Sequence, residues 1–93
     1  MDIHPGEFVY ATKGRDKGKC FLVIASADSY VYLADGKRRK VSNPKKKKSK
    51  HVESSGIKDD SIAGRLKDNN VLTNKQIRCL LRKFLGNASE QNC

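Results

Sequence analysis

A chain of 93 residues is the size of one small domain, and such a chain buries only about 60–68% of the surface its unfolded form exposes, which argues against a large enzyme with a deep cleft. Twenty lysines and arginines stand against ten aspartates and glutamates, a net charge of +10, and only 37% of residues are hydrophobic. That excess points to polyanionic partners such as nucleic acid or anionic lipid, because net charge governs association rather than fold.

Residues Met1 to Glu7 lack the basic start and apolar stretch of a secretory signal, so a cytoplasmic location is expected. After Pro5-Gly6, Phe8 to Thr12 reads as a first strand, followed by the polar, two-glycine hexapeptide Lys13 to Gly18 as a tight loop. Lys19 to Ala27 is the longest strand candidate. Its apolar run falls far short of the ~18 residues that a membrane-spanning helix needs. Ala27-Asp28-Ser29 offers a turn, Tyr30 to Ala34 a third strand, and Asp35-Gly36 a two-residue hairpin turn whose central positions favour φ > 0. Lys37 to Val41 is then expected to return antiparallel, Asn43-Pro44 to break it, and a short last strand to lie around Lys50 to Glu53.

From Ile57 onward the period changes. Ile77, Leu80, Leu81, Phe84 and Leu85 form one stripe of a 3.6-residue helix. Thr73 with Gln76 makes a capping box and Gly86 suits an αL C-cap, so a helix is predicted over Asn74 to Leu85. A shorter helix is predicted from Ser61 to about Asp68, weakened by Gly64, and residues 87–93 are expected to fray. The organisation expected is a β unit over 1–57 and a helical extension over 58–93. Five short strands in so small a unit would leave long edges, so the sheet is expected to curl into a small barrel. The helical stripe is expected to pack across the barrel's open mouth. The alternative is that Ile77, Leu80, Leu81 and Phe84 dock on another protein, such as a ribosomal or translation-machinery neighbour.

Gly6, Val9, Gly14, Gly18 and Lys19 follow a G-x-x-V, four-residue, G-x-x-x-G-K spacing. The stretch Gly6 to Val23 thereby resembles the KOW motif, the strand-loop-strand unit of ribosomal and transcription-elongation proteins. The likeness runs on to about Val52, in the manner of the fourteen-e family of large-subunit ribosomal proteins and its small bacterial relatives. The resemblance implies an SH3-like barrel that contacts ribosomal RNA.

The loop's own chemistry is compatible with that use. Gly14 and Gly18 permit left-handed turns and close approach, while Lys13, Arg15, Lys17 and Lys19 surround the backbone. Such a loop can set N–H groups and cations against phosphates without reading bases; alternatively its glycines only make the turn. Asp16 is expected to hold the turn through an Asx-type bond. A denser feature follows: Lys37, Arg38, Arg39, Lys40, Lys45, Lys46, Lys47, Lys48 and Lys50 are nine cations in fourteen residues without an acid. They are expected to form a loop and strand edge beside the glycine loop, facing RNA, with the arginine pair able to grip phosphate bidentately. A disordered or nuclear-address segment is the plainer alternative. Membrane attachment is disfavoured because no Trp, Phe or Leu interleaves the charges. Tyr10, Tyr30 and Tyr32 are candidates for base stacking, although half-buried contacts within the barrel or against the helix are the favoured reading.

Catalysis has little to stand on, and no enzyme activity, cofactor or metal is expected. His4 and His51 have no carboxylate close in sequence, and His51 beside Lys50 is expected to add charge. Cys20 lies in an apolar strand and reads as a small core residue. The three cysteines, Cys20, Cys79 and Cys93, form no C-x-x-C pair and fit a reducing compartment. P-loop spacing fails too, since three residues separate Gly14 from Gly18 and Cys20 replaces the hydroxyl.

Overall fold

Three of the strands form where the first half sends apolar side chains to two sides in turn. In a computed structural model, which describes residues 3–67 and 72–86, β1 is Glu7–Ala11, β2 Cys20–Ala27 and β3 Tyr30–Ala34. β4 is Lys45–Lys48, a 3-10 turn follows at Ser49–His51, and β5 is Val52–Lys58. Two helices complete the chain, α1 over Asp60–Lys67 and α2 over Asn74–Phe84. The strands pair antiparallel in the order β4-β3-β2-β1-β5. The protein is therefore mainly β, a five-stranded antiparallel sheet with two helices. The sheet is not closed: β4 and β5 are its two edges, consecutive in the chain yet not paired with each other. Edge protection, which argued for closure, is met at β4 by charge instead, since all four of its residues are lysines.

The expected fourth strand over Lys37 to Val41 is not formed. Asp35 Oδ1 accepts from the N–H groups of Lys37 (2.8 Å) and Arg39 (2.9 Å). The Asp35 and Gly36 N–H groups both donate to the Arg39 carbonyl, at 2.9 and 3.1 Å. These bonds wind 35–39 into a loop, and the Val41 N–H is taken by Asn74 Oδ1 of α2 at 2.8 Å. The partner strand of β3 is displaced to the lysines after Pro44. The last strand also moves, beginning at Val52 and running to Lys58.

Pleating gives the sheet two apolar faces. Val9, Phe21, Val23, Val31, Leu33 and Val52 fill the inner one, and the presence of both Val31 and Val52 shows that the sheet curls around it. Phe8, Leu22 and Ala34 form the outer face, which is covered by Ile62 of α1 and by Ile77 and Leu81 of α2. The stripe of α2 thus lies inward on the flat of the sheet rather than across a mouth, with the Phe84 ring stacked on Phe8 (centroids 4.5 Å apart) and Tyr10 6.1 Å away. Leu85 is the exception, 53% exposed. Both arms of the capping box are present, Gln76 N–H to Thr73 Oγ1 (3.1 Å) and Thr73 N–H to Gln76 Oε1 (2.8 Å). Asp59 Oδ1 accepts from the Ile62 N–H at the start of α1. The expected end of that helix at Asp68 and the expected fraying of 87–93 lie outside the described residues.

Gly36 is where the β3–β4 loop meets α2. Its φ is +79°, a Cβ there would sit 2.4 Å from the Asn74 carbonyl oxygen, and Arg78 Nη1 donates to the Gly36 carbonyl at 2.7 Å. Gly18 has the same sign of φ, +88°, but open space around it. Gly18→Ala is therefore expected to cost only the ~1–3 kcal/mol of a left-handed non-glycine residue, whereas Gly36→Ala adds a backbone collision and is expected to cost visibly more. Urea unfolding of the two variants checks this: equal losses would mean that the loop is not seated on α2.

Candidate functional site

The loop between β1 and β2 closes on itself. Gly14 and Gly18 both have positive φ, +84° and +88°, and the N–H groups of Lys17, Gly18 and Lys19 donate to Gly14 O (3.2 Å), Ala11 O (2.8 Å) and Asp16 O (2.9 Å). These three amides are taken up by the turn, so the C-terminal half of the loop does not offer its backbone to phosphates. The side chains of Lys13, Arg15, Lys17 and Lys19 are all exposed.

Asp16 does more than shape the turn. Its carboxylate, 13% exposed, lies 3.8 Å from Lys19 Nζ, 3.5 Å from Lys45 Nζ and 4.0 Å from Arg39 Nη2. One acid thus gathers cations from the glycine loop, the β3–β4 loop and β4, in place of the expected Asx bond. Burial works to raise its pKa, but the charges of Lys45, Arg39 and Lys19 outweigh it and hold the carboxyl below its usual value.

Strand pairing divides the lysine tract. Lys45 lies opposite Leu33 and Lys47 opposite Val31, whereas Lys46 lies opposite Tyr32 and Lys48 opposite Tyr30. Paired residues point to the same side, so Lys45 and Lys47 join the inner side and Lys46 and Lys48 the outer one. On the inner side Lys47 Nζ donates to the Lys13 carbonyl at 2.6 Å, bracing the glycine loop from β4. On the outer side Lys46 Nζ sits 4.4 Å from the Tyr30 ring centroid. The single basic surface expected from the sequence is two surfaces.

His51 stands at the foot of the glycine loop, where its carbonyl accepts the Thr12 N–H at 2.8 Å. Its pKa is lowered by burial first and then by Lys13, Lys50, Lys48 and Lys47, so the ring favours the neutral form at pH 7. It does not add the charge expected of it. Of the remaining cations, Arg39 turns to Asp16, Arg38, Lys40 and Lys50 are exposed, and Lys37 borders a cavity with Asp35, Arg78 and Arg82. Arg38 and Arg39 are thus not presented as a matched pair. Arg78 and Arg82 were not among the RNA-facing residues expected from sequence; their i, i+4 spacing on a predicted helix, beside a hairpin full of cations, was the available signal. All three tyrosines are half-buried and outside the two apolar clusters; Tyr10 packs near Phe84 of α2, whereas Tyr30 and Tyr32 lie on β3 beside β4.

Among the described residues no three His, Cys, Asp or Glu side chains are grouped to hold a metal ion. Burial pushes the Cys20 thiol up to about 11, a hydrogen bond with the Phe21 backbone offsetting only part of it, so the nucleophilic thiolate is suppressed. No helix among the described residues is long and apolar enough to cross a membrane. No protein-family model matches the chain, and no curated protein matches it.

Because the folded-state pKa of Asp16 is depressed, its contribution to stability is fully present above the unfolded value near 3.8 and disappears as pH falls through the lower folded value. Asp16→Asn is expected to destabilise the protein at pH 7 by about 1 kcal/mol, the pairs being long and their cations partly solvated. Thermal melts at pH 7 and again below pH 3 check the direction: the gap between variant and wild type narrows in acid. A gap independent of pH would assign the loss to packing.

Proposed function

We propose that the chain is an RNA-binding protein of KOW type, acting on ribosomal or ribosome-associated RNA in the cytoplasm, and that its sheet is an SH3-like barrel left open at the β4–β5 junction. The strand order, with β5 returned beside β1 and a 3-10 turn between β4 and β5, supports the fold reading. The observation that carries the function is the convergence on Asp16. Three cations from three chain segments surround one carboxylate, and Lys47 ties β4 to the glycine loop, so the surplus charge of Lys13, Arg15 and Lys17 is held on a braced rim. Such a rim engages phosphates along a backbone and positions an RNA without reading its sequence. Binding is electrostatic docking, and no catalytic group is needed for it.

A second reading, a protein-interaction module of the transcription or translation machinery, is favoured by a cleft between α1 and α2 where Ile62, Leu80 and Cys79 are bordered by Arg65, Lys75 and Lys83. High salt separates the two, stripping RNA from a phosphate reader while sparing an apolar protein contact.

Structured RNA is expected to bind with a log–log salt slope of roughly −3 to −5, as four to six phosphate contacts at about 0.7–0.9 each would give. The two halves of β4 should differ in kind. Lys46→Gln with Lys48→Gln lowers affinity and flattens the slope by about one per lost contact, with little change in stability. Lys45→Gln with Lys47→Gln also loosens the loop and lowers the melting temperature. Affinity indifferent to salt, measured by titration between 50 and 200 mM, would sink the RNA reading.

Phosphates near His51 would offset the surrounding lysines and raise its pKa, so binding would take up a proton. Affinity is then expected to rise as pH falls from about 8 towards 6, the window set by an ordinary histidine value of 6.5 that is lowered in the free protein. His51→Gln should flatten this profile. A profile unchanged in the variant would show that the proton goes elsewhere.

A further inference from the structure

Tyr30 and Tyr32 share the outer side of β3 with neighbours that leave their rings approachable. Across the β3–β4 pairing lie Lys48 and Lys46, both exposed. Across the β2–β3 pairing lie Ala27 and Ala25, also both exposed. A register shift between Val23 and Ala25 brings this about: it resets the alternation of β2, turning the small alanines rather than Ser26 towards the tyrosines. Neither ring belongs to either apolar cluster; the helix-covered part of the outer face is Phe8, Leu22 and Ala34, with Cys20 and Ile24 of β2 packed against it. In sequence, Asp28 of the β2–β3 turn lies two residues before Tyr30 and Asp35 three residues after Tyr32.

We infer that Tyr30 and Tyr32, flanked by Lys46 and Lys48, form a stacking platform for the unpaired bases of single-stranded RNA, a second contact distinct from the glycine-loop rim. The inference rests on the RNA reading above and names the kind of RNA that the outer face takes. Three features of the patch fit unpaired bases. Two aromatic side chains at i and i+2 on one strand stand about 6.5–7 Å apart along it, room for one base on each ring. The flanking alanines add no bulk above the plane of the sheet. The lysines lie along one side, where the backbone of a strand laid across the rings would run, and aromatic stacking with adjacent cations is how single strands are held without sequence preference.

The Tyr30 ring is not idle in the free protein, because Lys46 Nζ occupies its face at 4.4 Å. An exposed cation–π contact is weaker than base stacking, so an incoming base displaces the ammonium group, which is then free to meet the phosphate beside it. Duplex RNA has no unpaired base to offer and should contact the glycine-loop rim alone.

The chain contains three tyrosines and no tryptophan, so its intrinsic fluorescence reports on Tyr10, Tyr30 and Tyr32. Tyr10 is packed near Phe84 under α2. An eight-nucleotide oligoadenylate is expected to quench that fluorescence and to bind at least tenfold more tightly than an abasic oligomer with the same number of phosphates. Tyr30→Leu with Tyr32→Leu should remove the tenfold preference while leaving affinity for a short RNA duplex within twofold of wild type. Equal affinity of the wild-type protein for the oligoadenylate and the abasic oligomer would overturn the platform, and that comparison requires no variant. If duplex RNA still binds in that case, the rim stands and only the platform falls; if neither RNA binds, the RNA reading itself has failed.

Discussion

Pairing β4 with β3 imposes a period of two on four consecutive lysines, and the disposition of charge over the molecule depends on that constraint. Lys45 and Lys47 are turned to the side of Leu33 and Val31, where each finds an oxygen: the Asp16 carboxylate for one and the Lys13 carbonyl for the other. Lys46 and Lys48 are turned to the tyrosines, where the Tyr30 ring offers its negative face to one ammonium group. Left on one surface, four like charges would repel strongly. Divided between two sides and supplied with local partners, they can occupy a strand for which lysine has little preference. The open edge of β3 supplies the hydrogen bonds that settle the matter.

Asp16 is the counterweight on the inner side. Without it, Lys19, Arg39 and Lys45 would face one another across loops that have few other reasons to stay together. With it, the glycine loop, the 35–39 loop and β4 form one assembly. Gly36 then ties the middle segment to α2 through a backbone approach too close for any Cβ. The acid does not cancel the rim, because Lys13, Arg15 and Lys17 remain outside its reach and exposed. An acid inside a basic surface here acts as a positioning group, trading a unit of net charge for order.

Much of the fold was legible because its signals are local. β-branched and aromatic bursts bounded by glycine mark β1 to β3, and Thr73 with Gln76 marks the start of α2 through bonds that close within four residues. The fourth strand was not legible. Lys37 to Val41 lies where a hairpin should return, but Asp35 captures the two N–H groups that such a return would need. Lys45 to Lys48 carries no apolar alternation, and its pairing depends on the unsatisfied edge of β3, a tertiary fact. The candidate site shows the same division. Spacing pointed to Gly14 and Gly18, and both take positive φ. The reach of Asp16 to Arg39 and Lys45, the lysines around His51 and the placing of Arg78 behind Gly36 are long-range juxtapositions that no window of sequence contains.

The two sides of β4 also differ in what they can exchange with a ligand. On the inner side Lys45 already has an acid partner and Lys47 a carbonyl, so a phosphate arriving there competes with Asp16 for Lys45 and meets an arrangement that is largely built. Little ordering is required, which favours a fast and salt-sensitive contact. On the outer side the partner of Lys46 is an aromatic ring, which a base can take over while the lysine follows the phosphate. Occupancy there replaces one interaction by two, but requires the nucleic acid to unstack. On the RNA reading, the rim would set where the molecule sits and the tyrosine side would select segments whose bases are already free, both through the alternating side chains of a single four-residue strand.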